Sequence, residues 1–132
     1  MANEATLVFR KSDKGIQRTV ADGTGIEKGT ILKNTDNNVA IASSGSGDVF
    51  GGILLREKIA SDGRTSVAAA MDGTWKMTDA GAGITAGQWV STSGANLIKT
   101  ATEAEIAAGK GIGRAREDIA GAGTGLVEVG AQ

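Results

Sequence analysis

Two glycine-spaced segments, GTGIEKG (23–29) and GAGITAG (81–87), and the run GKGIGR (109–114) are where this chain comes nearest to phosphate chemistry. A dinucleotide loop needs GxGxxG between a strand and a helix. Here the spacing is GxGxxxG and β-rich sequence follows. A P-loop needs GxxxxGK and then Ser or Thr, but Ala104 and Gly111 occupy those places. These glycines read as turns at strand entries. Glu57 and Glu117, which follow Arg56 and Arg116, could act as paired carboxylates if they faced each other across a cleft. The simpler expectation is that each is held beside its own arginine or a symmetry-related partner at a strand end. The turn NTDNN (34–38) lacks the acidic ligand set of a calcium loop and reads as a hairpin. A Ser–Lys nucleophile needs no histidine, yet no spacing nominates a pair. Trp75 and Trp89 would stack on sugar if exposed together; the commoner use of a Trp in a small β-fold is core or oligomer seam.

The missing residues exclude more. His and Cys are both absent from the 132 residues, which removes histidine bases, thiol nucleophiles, disulfides and structural zinc sites of the usual kind. Neither a cofactor nor a metal is expected. A net charge of −1, with no aromatics interleaved among basic residues, argues against nucleic acid as a partner. No apolar run approaches the ~20 residues of a membrane helix, and MANEATLVFRK does not read as a signal peptide. Alanine and glycine each number 21, and the only aromatics are Phe9, Phe50, Trp75 and Trp89. A core of that kind is thin, so stability is expected to come partly from self-association or docking.

The elements that position these residues are duplicated. Gly23, Gly25, Ile26 and Gly29 match Gly81, Gly83, Ile84 and Gly87 at an offset of 58. REKIASDGRTSV (56–67) matches REDIAGAGTGLV (116–127) at an offset of 60, which aligns Ile59 with Ile119 and places two extra residues near 101–110. Short β-rich runs separated by Asn, Asp and Gly turns predict strands within 30–34, 38–43, 49–57, 65–70, 88–92, 96–101, 111–117 and 125–129. Thr102-Glu103-Ala104-Glu105 has capping-box spacing and predicts one short helix that Gly109 stops. The fold class is all-β, a body of two internal repeats (about 23–73 and 81–130) within 23–132. Residues 1–22 are expected to form an N-terminal arm holding two possible strands, TLVFR (6–10) and IQRTV (16–20). The arm carries Arg10, Lys11, Lys14 and Arg18 against Glu4, Asp13 and Asp22, a small positive excess that with Leu7, Val8 and Phe9 suits docking.

The pattern G-x-x-I-x-x-G-x-x-V, a polar hairpin, a Gly-hydrophobic strand and then I-A-x-x-G-x-x-x-V is carried by 80–94 and 111–130 and more loosely by 23–67. It resembles the small decoration (cement) proteins of tailed-phage capsids. The resemblance implies a small β-barrel or β-tulip-like body, commonly a homotrimer. Such a protein is made in the host cytoplasm and binds the outer surface of the phage head over junctions between major capsid protein subunits. It is a structural protein and not an enzyme. By position, Leu7, Val8, Phe9, Arg10, Lys11, Lys14 and Arg18 are the expected capsid contacts, with Trp75 and Trp89 in the core or trimer seam. The alternative is a trimeric β-module of a phage tail or fibre that binds host glycans, which an exposed Trp75–Trp89 platform would favour.

Overall fold

A computed structural model describes residues 3–9, 15–36 and 38–130. Its elements are β1 (Thr6–Phe9), β2 (Ile16–Thr19), β3 (Ile31–Asp36), β4 (Val39–Ala42), β5 (Phe50–Leu54), β6 (Ser66–Ala70), β7 (Gly73–Asp79), β8 (Trp89–Thr92), β9 (Leu97–Thr100), α1 (Glu103–Ala107), β10 (Gly113–Ala115) and β11 (Thr124–Val129). Strands β2, β4, β3, β5 and β6 close one barrel, and β7, β9, β8, β10 and β11 close a second in the same order. Each barrel closes through one parallel pair, β2–β4 in the first and β7–β9 in the second. Closure leaves few free strand edges in either barrel. The all-β, two-repeat barrel expectation holds, as does the single helix. Thr102 and Glu105 form the reciprocal capping box, and Gly109 follows at φ +75°.

Three boundaries differ from the sequence reading. First, β2 is a wall strand of the first barrel, paired with β6 from Ile16↔Ala69 to Thr19↔Ser66. The repeat therefore starts near residue 16, and the arm is shorter than 1–22. Second, β7, the longest strand, was not foreseen. It answers to β2 in the duplication and pairs with β11, β9 and β1. Third, the register of the β5 region is not the one that identical residues suggest. Leu54 N–H donates to Thr30 O as Ala115 N–H donates to Gln88 O, and the bridge Ile26↔Lys58 answers to Ile84↔Ile119. Lys58, not Ile59, thus occupies the place of Ile119. Lys58 and Ile119 are both buried, while Ile59 is 60% exposed. A one-residue slip exchanges the faces of a strand, so the REKIA/REDIA match does not follow the structural register. The same register aligns Gly52 with Gly113. A Cβ at Gly52 would lie 2.7 Å from the Cβ of Ala69, and one at Gly113 would collide with the carbonyl of Glu128. Both glycines let neighbouring strands approach, β5 to β6 in the first barrel and β10 to β11 in the second.

The two barrels share apolar packing. Leu32, Leu54 and Ala69 point into the first barrel with Val20, Ile26, Ala40 and Val67. Their chain neighbours Ile31, Ile53 and Ala70 point outward and join the core of the second barrel, with Trp75, Met77, Val90, Ile98 and Val127. Each aliphatic side chain buried in such a seam contributes about 1.5–3 kcal/mol relative to exposure. Asn96, at the tip of the β8–β9 hairpin, pins the seam. Its Oδ1 accepts the Ile31 N–H at 2.8 Å, its N–H donates to Ser43 Oγ at 3.2 Å and its Nδ2 donates to Glu4 Oε2 at 3.1 Å. Alongside, Gly47 N–H donates to Thr92 O at 3.0 Å and Ser43 Oγ donates to Gly94 O at 3.0 Å.

Candidate functional site

Strand β1 lies outside the closed wall of the second barrel. It pairs antiparallel with the first half of β7, next to the stretch where β9 pairs with the second half. The arm is thus laid across the far barrel, and Ala5 N–H ties it to Gly29 O of the first barrel at 2.7 Å. In the strand order β1 is the edge of its sheet. Leu7 and Val8 are 45% and 50% exposed there. Beside this strand runs a cleft of about 650 Å³ where β1 meets both barrels, lined among others by Glu4, Leu7, Lys28, Leu55 and Trp75. An edge strand with exposed aliphatics beside a partly apolar groove can add a partner's strand by main-chain pairing and seat its side chains.

The expected contact residues fall in three places. Leu7, Val8 and the backbone of Phe9 are on β1. Arg10, Lys11 and Lys14 lie outside the described residues. Arg18 belongs to the first barrel, where it takes the place that buried Met77 has in the second. Its Nε donates to Gly51 O at 3.0 Å and its Nη1 to Asn38 Oδ1 at 2.8 Å, and Nη2 lies 3.7 Å from Met71 Sδ. An arginine so bound braces the barrel end.

Trp75 is buried, with its Nε1 donating to Asp72 O at 2.8 Å. Trp89 is half-buried on the outside of the second barrel, with the Arg114 guanidinium 5.0 Å from its ring centre. Trp75 is paired with Val127, which points inward, and Trp89 with Arg114, which points outward. The two rings occupy opposite faces of the wall and form no shared platform.

The other groups with chemical potential serve the backbone. Glu117 Oε2 accepts the Leu126 N–H at 2.9 Å, while Arg116 sits 3.9 Å from Glu128. In the structural register Arg56 takes the place of Glu117, so Glu57 and Glu117 are not equivalent and sit in separate barrels. The Asp79 carboxylate accepts the N–H groups of Gly81, Gly83 and Ala122, which orders the GAGITAG turn around a protein anion. Lys58 Nζ reaches Asp62 Oδ1 at 2.7 Å, Asp22 Oδ1 at 3.0 Å and Ile59 O at 2.6 Å. Burial alone would lower the Lys58 pKa, but the hydrogen bonds and charges of Asp62 and Asp22 outweigh it and the net direction is up. The Lys58 bond and the Arg64 N–H hold the Asp62 carboxyl well below the usual range. Glu105 is lowered to about 2, chiefly by the Thr102 N–H and further by Lys99 at 3.0 Å and Ser91. Among the described residues, no three His, Cys, Asp or Glu side chains converge as a metal site, and no helix is long and apolar enough to cross a membrane.

Sequence reasoning missed Lys58, Asn96, Asp79 and β7. The alternation of Trp75 and Met77 around Lys76 was the available signal for β7. The chain matches no protein-family model and no curated protein.

Proposed function

We propose that this chain is a structural decoration protein that binds the outside of an assembled tailed-phage head and stabilises junctions between major capsid protein subunits. The observation that carries the reading is β1, an edge strand with exposed Leu7 and Val8 beside the 650 Å³ cleft. It offers main-chain and apolar docking at the junction of two barrels, and the reading assigns the chain no reaction. Many such contacts, multiplied by self-association into a trimer, would give avidity. Binding the assembled shell in preference to free subunits would stabilise the shell by mass action. The glycan-binding alternative loses its distinguishing feature, because Trp75 and Trp89 face opposite sides of the wall.

The test is co-sedimentation with expanded tailed-phage shells stripped of decoration protein. Deleting 1–22 would remove β2 and open a barrel, so point substitutions are used. Wild type is expected to pellet with the shells, and Leu7→Asp and Val8→Asp to remain folded but bind at least about tenfold more weakly. Absence of wild-type binding refutes the reading. Full binding by both variants refutes the role given to β1.

A further inference from the structure

The segment 55–57 that follows β5 answers to 116–118 of the second repeat, because Leu55 N–H donates to Ala68 O as Arg116 N–H donates to Leu126 O. In the second barrel this segment supplies Glu117, whose Oε2 accepts the Leu126 N–H at 2.9 Å. In the first barrel the same place holds Arg56, and Ala68 stands where Leu126 stands. An arginine carries N–H donors and no acceptor, so Arg56 cannot make the bond that Glu117 makes. The duplication has exchanged an anion for a cation at one point of the wall.

A cleft of about 280 Å³ opens there, lined by Gln17, Arg56, Arg64, Ser66, Val67 and Ala68. Its unused polar groups are donors. Arg64 is held along one edge, with Nε donating to Asp62 Oδ2 at 3.0 Å and Nη2 to Glu57 O at 2.9 Å. Asp62 is in turn fixed by the buried Lys58, so this guanidinium is set before any ligand arrives, and its Nη1 is left to donate. Ser66 Oγ donates to Gln17 Oε1 at 2.7 Å, which occupies the amide oxygen and leaves Nε2. Arg56 is exposed, and its guanidinium has no hydrogen-bond or ion-pair partner among the described residues. Lys58, Arg56 and Arg64 against Asp22 and Asp62 leave one positive charge unbalanced. Glu57 lines a separate cleft with Ile26 and Ile59.

We propose that this cleft is an anion site for a carboxylate, the side chain of an aspartate or glutamate presented by a protein partner. The bound carboxylate takes in the first barrel the place that Glu117 takes in the second, with the Arg56 and Arg64 guanidiniums and the Gln17 amide as its donors. The forked N–H groups of a guanidinium match the two oxygens of a carboxylate. One unbalanced positive charge suits a monoanion better than a phosphate group of charge near −2. The site shares no residue with the cleft beside β1, so it goes beyond the docking proposed there and stands or falls separately.

Side-chain NMR of the full isotope-labelled chain tests it, with the amide of N-acetylglutamate titrated in at constant ionic strength. The Nε–Hε signals of Arg56 and Arg64 and the side-chain amide of Gln17 are expected to shift together and saturate, while those of Arg114 and Arg116 stay in place. Arg56→Glu installs the carboxylate that the second barrel already has. It is expected to fold and to bind the probe at least about tenfold more weakly, as the loss of one charged hydrogen bond implies. If Arg56→Glu does not fold, Arg56→Gln replaces it with the same expected loss. No saturable shift at the three residues, an equal shift at Arg116, or full binding by the Arg56 variant would each overturn the proposal. Inorganic phosphate is titrated in a parallel arm, and tighter binding of phosphate than of the carboxylate probe would overturn the assignment of the ligand.

Discussion

Asn38 and Asn96 hold the same place in the two repeats, at φ +58° and +59°, and do different work. This supplies an internal control. In Asn96→Ala the buried N–H of Ile31 loses its 2.8 Å acceptor, which costs about 1–3 kcal/mol. Alanine in the left-handed region adds about 1 kcal/mol. The expected loss is therefore about 2–4 kcal/mol. Asn38→Ala carries the same backbone strain but loses only exposed bonds, from Arg18 Nη1 and to Gln17 O, so about 1–2 kcal/mol is expected. The difference between the variants, about 1.5 kcal/mol between the centres of the two ranges, reports what the Asn96 side-chain bonds to Ile31 and Glu4 add. Urea unfolding followed by tryptophan fluorescence measures it, with Trp75 reporting from the shared core. Asn96→Gly separates the two contributions by relieving strain without restoring the bond. Equal losses for Asn96→Ala and Asn38→Ala, within about 0.5 kcal/mol, would refute the pinning role of Asn96.

Two further outcomes follow from the charged groups. Lys58→Met leaves Asp22 and Asp62 without their shared cation and should destabilise more than Lys99→Met. Adding Asp22→Asn and Asp62→Asn to Lys58→Ile should recover much of the loss, because Ile119 fills the matching place in the second barrel; thermal melts of the set decide it. Glu105 has a folded pKa of about 2 against an ordinary value of 4.5, so its contribution is fully present above the unfolded pKa and is lost as pH falls through the folded one. Wild type should lose stability between pH 4.5 and about 2 more steeply than Glu105→Gln, and melting temperatures that fall in parallel would contradict this.

Where local chemistry and tertiary need agree, the sequence was readable. The Asn and Gly turns, the capping box at Thr102 and the strands around Val39–Ala42 and Thr124–Val129 emerged where the patterns put them. Where burial is decided by a partner elsewhere in the chain, it was not. Lys58 looked like a surface lysine because its burial depends on Asp22, far away in sequence. β7 was hidden because its Lys76, Thr74 and Asp79 dilute an apolar signal that closure of the barrel then enforces. The exposed β1 residues Leu7 and Val8 were named from position, whereas Arg18 beside them in the same expectation belongs to the barrel wall. Its sequence neighbourhood does not show that Gly51 and Asn38 receive its guanidinium.

The duplication also explains why alanine and glycine line so much of the wall. Alanine lines β6 at Ala68, Ala69 and Ala70, and glycine sits in the wall at Gly52 and Gly113 because neighbouring strands meet there at short range. Larger residues at those positions would open the barrels. Of the bulky aliphatics, Leu32 and Leu54 fill the first barrel, while Ile31 and Ile53 leave it to enter its twin's core. Each barrel therefore buries side chains in its twin as well as in its own interior, and the barrel-to-barrel contact adds to what the two interiors contribute.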